Sequence, residues 1–323
     1  MTCKKLLNFA WKALLPATTA TLWLSACGVP SSEESYDRLH SDSGHRGLPY
    51  TKLVERIDQL QKNAQDQVQV VRYGKSVENR DLILIRLAND QAALRAKSGE
   101  TRPAVLITQA IHGDEYQELA DRLAATYAES PQSHEKYQKF IDNGGILYIV
   151  PVVNPDGYDR RQRGNRQGID LNRDWHSDYE KVEGFRSPET KALSQYLQQE
   201  LAVSGATLKM SLDYHCCSLG KSGGLLIHPW GTSQDLGDGS IPEADVKRFE
   251  YLGSYFQNYF PKASYGTPAQ TVNYTAKGSL MDYMYEQDHA LALSYEGLYN
   301  REHQLFETHA RFWDGLLEKV ETL

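Results

Sequence analysis

The sequence predicts one α/β domain: a twisted, mixed but mostly parallel sheet flanked by helices. Short apolar runs of strand character alternate along the chain with segments of helical periodicity. No internal repeat and no second domain boundary interrupts that alternation. The residues best suited to chemistry stand where strands end, the edge at which open α/β sheets bind ligands.

The elements follow in order. Residues 50–60 carry Tyr50, Leu53, Ile57 and Leu60 at helical spacing. Residues 68–73 and 82–87 alternate or run apolar as strands do, and 104–108 is a short buried-strand run. Residues 115–128 read as a helix. Residues 145–153 form another buried strand, stopped by the turn signal Asn154-Pro155-Asp156-Gly157. A helix is expected over 187–201, with Ser187 at its N-cap and Pro188 at its first position. A strand over 208–214 is followed by helices over 243–259 and 278–286. A strand over 291–295 and a closing helix over 302–320 complete the series.

The chain has 323 residues, 40% hydrophobic and 24% charged, ordinary for a globular protein with a sizeable core. Its net charge is −7 with no basic stripe, which argues against nucleic acid as a partner. Four cysteines, Cys3, Cys27, Cys216 and Cys217, make no disulfide framework.

The first residues read as an address. Lys4 and Lys5 precede a mostly apolar run to Ala26, too short and broken for a transmembrane helix. The ending Leu24-Ser25-Ala26-Cys27 resembles the bacterial lipobox, which implies a signal peptide over 1–26 and lipidation of Cys27. Residues 27–48, rich in Ser, Asp, Glu and Gly, read as a flexible tether to a globular domain at 49–323. The expected location is therefore outside the cytoplasm, on a membrane facing the periplasm, with the outer membrane favoured because Gly28 follows the cysteine. The membrane would be met only through the lipid.

His112-Gly113-Asp114-Glu115 follows closely on a buried strand. If a helix starts there, the three-residue spacing brings an imidazole and a carboxylate onto one face. His215 closes another expected strand, and Asp213, two residues earlier, points to the same side and could orient it. Two His and one Glu form a known catalytic zinc set, with the fourth position open for water.

Further motifs stand in order: Gly74-Lys75-Ser76-Val77-Glu78-Asn79-Arg80, Asn154-Pro155-Asp156-Gly157, Arg163-Gly164-Asn165, and Asp170-Leu171-Asn172-Arg173-Asp174-Trp175. Phe185-Arg186-Ser187-Pro188-Glu189-Thr190, residues 225–231, Tyr274 and Ser294-Tyr295-Glu296 complete the series. With the His-Glu-His set, they resemble the zinc metallocarboxypeptidase family of the carboxypeptidase A type over most of residues 50–323. The resemblance implies a zinc carboxypeptidase-like fold, with 49–323 as a zinc peptidase catalytic domain and one Zn2+ on His112, Glu115 and His215. It implies Glu296 as the general base and Arg163 as the oxyanion-stabilising arginine. Arg160, Arg161 and Arg166 crowd the same segment. Asn172 and Arg173 would clamp the substrate's terminal carboxylate, as a guanidinium fork suits a carboxylate. Tyr274 would close over the terminal residue, and Met281 would lie near the floor of the specificity pocket.

The implied activity is hydrolysis of the last peptide bond of a peptide with a free C-terminal carboxylate. The short loop between Gly157 and Asp170 is similar to that of bacterial murein-peptide amidases of the same family, so cell-wall peptides are a candidate substrate. A murein-peptide amidase cutting the γ-D-glutamyl-diaminopimelate bond and an N-acyl amino acid deacylase are the enzymatic alternatives. A non-catalytic binding lipoprotein would lack the base or a ligand, and this chain has all of them. Cys216 and Cys217, directly after His215, admit three readings: a vicinal disulfide, two small buried residues, or a further zinc ligand at Cys216.

Overall fold

A computed structural model describes residues 47–64, 67–93, 101–217, 223–230, 241–298, 302–320 and 322–323. The expected signal peptide, the expected lipidation site Cys27 and nearly all of the expected tether lie outside the described residues. The tether's last two residues, Gly47 and Leu48, are packed rather than free: Tyr158 Oη donates to the Leu48 carbonyl at 2.5 Å. Among the described residues no helix is long and apolar enough to cross a membrane.

Helix α1 (Tyr50–Asn63) buries Tyr50, Leu53, Ile57 and Leu60, the stripe its sequence marks out. Among the described residues, eight strands then build one sheet: β1 (Val68–Lys75), β2 (Asp81–Ala88), β3 (Arg102–Gln109), β4 (Ile146–Val150), β5 (Ala206–Cys216), β6 (Leu225–Ile227), β7 (Ser264–Gly266) and β8 (Leu291–Gly297). Their spatial order is β1-β2-β4-β3-β5-β8-β6-β7. The central four, β4, β3, β5 and β8, run parallel. The pairings β1–β2, β2–β4 and β6–β8 are antiparallel. Almost every residue of β2, β3 and β4 is buried, so both faces of the sheet are covered, as the near-continuous Val/Ile/Leu runs require.

Parallel strands end on a common edge. From β3 the chain crosses to β4 on one side, whereas β5 leads on toward β8 on the other. The edge between β3 and β5 is thus a topological switch point, where a crevice opens. His112 follows β3, and His215 lies at the end of β5.

Several boundaries differ from expectation, each for a physical reason. The helix expected over 115–128 is α2 (Ala120–Glu129) in the structure, after the short Asp90–Ala93 turn of helix. Gln109 Oε1 accepts from the Leu119 and Ala120 amides at 2.9 and 3.3 Å, so a distant side chain caps the start. A helix that periodicity did not reveal, α3 (Glu135–Asp142), buries Tyr137, Phe140 and Ile141. The Asn-Pro-Asp-Gly turn opens α4 (Pro155–Arg160): Asn154 caps it by accepting from the Gly157 amide at 2.9 Å, and Pro155 takes the first turn.

Helix α5 (Pro188–Ser204) begins where Ser187 and Pro188 suggested, but the Ser187 hydroxyl donates to Asp174 at 2.7 Å instead of capping. Helices α6 (Glu243–Gln257) and α7 (Leu280–Asp288) follow. The closing segment starts with a 3₁₀ turn, Glu302–Leu305, before α8 (Phe306–Leu317).

Ile107 is fully buried in β3, between β4 and β5. Ile107→Ala should lower stability by about 2–5 kcal/mol, read from urea unfolding with an unchanged m-value.

Candidate metal and substrate site

The His112–Glu115 pair is set by a turn, not by a helix: the Glu115 amide bonds the His112 carbonyl at 3.1 Å. Gly113 lets this turn sit directly on α4. A Cβ there would lie 2.0 Å from the Gly157 carbonyl carbon, closer than any side chain permits. The Arg163 carbonyl accepts from the Gly113 amide at 3.4 Å and from Asn154 Nδ2 at 3.2 Å. The ligand turn, the capping asparagine and the arginine segment are thus tied together.

His112 Nδ1 and His215 Nδ1 lie 2.9 and 3.0 Å from the same oxygen, Glu115 Oε2. Donor atoms of all three residues lie within 4.8 Å of one another. The far sides of both rings are engaged. His112 Nε2 faces Asp170 Oδ1 at 3.0 Å, and His215 Nε2 faces Asp213 Oδ2 at 2.7 Å. Thr108 Oγ1 donates to Asp213 Oδ1 at 2.6 Å, fixing that carboxylate in turn. The His215 backbone carbonyl accepts from Gln117 Nε2 at 2.5 Å.

This arrangement fits a metal. His112 Nδ1 is buried without a hydrogen bond, because its approach to Glu115 is close but misaligned. Burial favours neutral imidazoles, yet the Asp170 and Glu115 carboxylates drive the His112 pKa upward. Asp213 and Glu115 do the same, more strongly, to His215. Burial alone would raise Glu115, and the two imidazoles overcome it to hold its carboxyl well below the usual range. A pocket that draws protons onto two buried rings is short of positive charge. Two imidazole nitrogens and one carboxylate oxygen form a catalytic zinc set.

Glu296 is the register partner of His215 across the parallel β5–β8 pair, so both side chains leave the sheet on the same face. Its carboxylate makes no hydrogen bond or ion pair among the described residues. Burial raises its pKa and Glu115 adds to this, whereas His215, His112 and Arg163 oppose it. A half-buried carboxylate kept basic beside the ligands is equipped to accept a proton.

Arg163 bonds Glu115 Oε1 at 3.2 Å and Asp170 Oδ2 at 2.9 Å. Arg160 and Arg166 instead pair with Glu78. The site therefore has Arg163 beside the ligands. Asn172 lies between His215 and α7: its Nδ2 is 3.3 Å from His215 Nε2, the nitrogen that Asp213 faces, and its Oδ1 accepts from the Leu280 amide at 3.0 Å. The Arg173 guanidinium donates to the Asn172 carbonyl at 2.5 Å and to Tyr274 Oη at 3.3 Å. Tyr274 is half exposed and lies 5.9 Å below that guanidinium carbon. Met281 is buried at the start of α7, next to Leu280.

Asp170 is the residue that motif reading undervalued. It stands in the Asp-Leu-Asn-Arg run, but its bonds to His112 and Arg163 emerge only in three dimensions. Cys216 and Cys217 form a vicinal disulfide, and the Cys216 amide donates to Glu115 Oε2 at 3.3 Å. Of the readings open for these cysteines, the structure therefore shows a pair bonded to each other.

If Asp170 and Asp213 orient the imidazoles, Asp170→Asn and Asp213→Asn should each weaken zinc binding roughly 10–100-fold. Competition against a chromogenic chelator measures this, and wild-type affinity in both variants would remove the orienting role.

The zinc carboxypeptidase family model matches residues 53–313. Carboxypeptidase SOL1 of Arabidopsis thaliana is 30% identical over 71% of this chain and 42% of its own length. A zinc carboxypeptidase of Saccharothrix mutabilis subsp. capreolus is 32% identical over 41% of this chain and 33% of its own. The chain thus spans less than half the length of both relatives. The crystal structure of a metallo-carboxypeptidase from Burkholderia cenocepacia superposes with a TM-score of 0.64 at 20% identity, covering 85% of this chain and 69% of that one. That likeness extends to the α/β fold and its mostly parallel sheet. With its family match spanning most of the chain and two imidazoles converging on one carboxylate at the sheet edge, this chain belongs to the zinc carboxypeptidase family.

Proposed function

We propose that the chain is an exported zinc carboxypeptidase that hydrolyses the last peptide bond of peptides with a free C-terminal carboxylate. The observation that carries this is the joining of two sites by one residue. Asn172 touches the ligand His215 at its outer nitrogen, Nε2, and its backbone carbonyl binds Arg173, the guanidinium of the carboxylate clamp. A substrate held at Arg173 by its terminal carboxylate has its last peptide bond near the ligands.

Zinc, when bound, supplies Lewis acidity that polarises the scissile carbonyl and makes water a nucleophile near neutral pH. The protein's residues do the rest. Glu296 takes the proton of the attacking water and returns it to the leaving amine. Arg163 directs fixed positive charge at the oxygen where negative charge develops. Asn172 and Arg173 bind the terminal carboxylate, and Tyr274, already bonded to Arg173, covers the terminal residue. The lipobox-like ending at Cys27 supports action outside the cytoplasm, anchored by lipid to the periplasmic face of a membrane. Cell-wall peptides are the substrate class such a location favours. The compact segment from Arg163 to Asp170, closed by an Asn165 amide to Ile169 carbonyl bond of 2.9 Å, supports the same class.

A peptide-library digest read by mass spectrometry, with muropeptides included, tests the reading. Release of single C-terminal residues is expected. Cleavage confined to the γ-D-glutamyl-diaminopimelate bond would assign the amidase instead, and release of acyl groups the deacylase. Chelation should abolish turnover and zinc restore it, whereas full activity in a metal-stripped sample would sink the mechanism. Glu296→Gln should retain zinc but lose turnover by about a hundredfold or more. Near-normal turnover in that variant would exclude Glu296 as the base.

A further inference from the structure

The clamp has a support outside the recognised motifs. Asn172 and Arg173 both reach toward residues 274–280: Arg173 to the Tyr274 hydroxyl, Asn172 to the Leu280 amide. Residues 274–279 form neither helix nor strand. Among the described residues, Gly278 carries the backbone hydrogen bonds of residues 274–278. Its carbonyl accepts from the Trp175 amide at 3.1 Å, and its amide donates to Glu180 Oε2 at 2.8 Å. Gly278 has φ +66, and a Cβ there would lie 2.9 Å from Val182 Cγ1 and 3.3 Å from the Arg173 carbonyl oxygen. The segment is therefore pressed against both the clamp and the strand bridge that holds Val182.

Glu180 belongs to a small hairpin in which Ser177 and Val182 exchange backbone bonds of 2.9 Å. The hairpin is anchored to α7 by Glu286, which accepts from Ser177 Oγ at 2.7 Å and from the Asp178 and Tyr179 amides at 2.9 and 3.1 Å. Ser177 Oγ in turn accepts from the Glu180 amide at 2.9 Å. Glu180 is 4% exposed, and its second oxygen is buried without a partner. A carboxylate buried for the sake of one backbone amide is costly for structure alone. Its surroundings hold Arg173, Lys277 and Glu286, so the clamp arginine lies in its field.

We propose that Glu180 is a positioning residue for the carboxylate clamp: by holding the Gly278 amide it fixes the segment that gives Tyr274 and the Leu280 amide their places against Arg173 and Asn172. The inference rests on the carboxypeptidase reading for its substrate but not for its geometry. Glu180 touches neither substrate nor metal ligands, so its loss acts on recognition of the terminal carboxylate, not on proton transfer.

Two measurements separate these effects. With a peptide substrate bearing a free C-terminus, Glu180→Ala should raise KM about tenfold while kcat stays within about threefold. Glu180→Gln, which keeps an acceptor for Gly278, should restore KM to near the wild-type value. Calorimetry in the Glu296→Gln background compares an N-acetyl dipeptide acid with its C-terminal amide. Glu180→Ala should collapse the preference for the acid. Glu286→Ala, which frees the hairpin without touching Gly278, should shift it the same way by a smaller factor and decides the matter if Glu180→Ala does not fold. An unchanged acid preference in the folded variants, or a fall in kcat at constant KM, overturns the proposal, as does the absence of any acid preference in the parent protein. A parent that prefers the acid yet releases no C-terminal residue sinks the carboxypeptidase reading and leaves the clamp intact.

Discussion

Two imidazole nitrogens facing one carboxylate oxygen at 2.9 and 3.0 Å set the electrostatic problem around which this site is organised. In a buried pocket such close approach holds only if something positive joins the group or protons fill the gap. The surroundings are arranged for the first outcome. Asp170 and Asp213 occupy the outer nitrogens of the rings, leaving the inner ones to converge, and Thr108 fixes Asp213 from the neighbouring strand. Arg163 offsets part of the negative charge without displacing a ligand atom, since it bonds Glu115 through the other oxygen, Oε1.

The fold makes that convergence possible by ending parallel strands on one edge. β3 delivers the ligand turn, β5 delivers His215, and β8 delivers Glu296 in register with it. Loops supply the rest and need pins of their own. Asn154 ties the Arg163 carbonyl to α4, and Asp156 accepts from Ser76 Oγ at 2.8 Å and the Glu78 amide at 2.9 Å, linking the β1–β2 turn to the same helix. Buried carboxylates recur in this structure as fasteners between segments distant in sequence. Glu180 and Asp174 play that part near Arg173, with Glu180 accepting from the Gly278 amide at 2.8 Å and Asp174 accepting from Ser187 and Thr190 at 2.7 and 2.8 Å.

Much of this was legible in the sequence because strands and ligands announce themselves locally. The run over 104–108 anticipates β3, and His215 lies at the end of an apolar stretch. What sequence periodicity could not show is action at a distance. The start of α2 depends on Gln109, ten residues from Leu119. The helix α4 hides inside a turn signal because Asn154 and Pro155 serve both purposes. β6 and β7 are three residues long, too short for any periodicity. Asp170 and Glu180 look like ordinary acidic residues until the fold brings His112 and Gly278 to them.

The position of β8 has a consequence in time. It is the last strand in the chain but an interior one in the sheet, inserted between β5 and β6. A chain emerging from its N-terminus presents all three metal ligands long before it presents Glu296. The three ligand residues thus all precede, in the order of synthesis, the proposed proton acceptor. His215 gains its register partner across the sheet only from β8, so the last strand in sequence completes the group to which we assign hydrolysis.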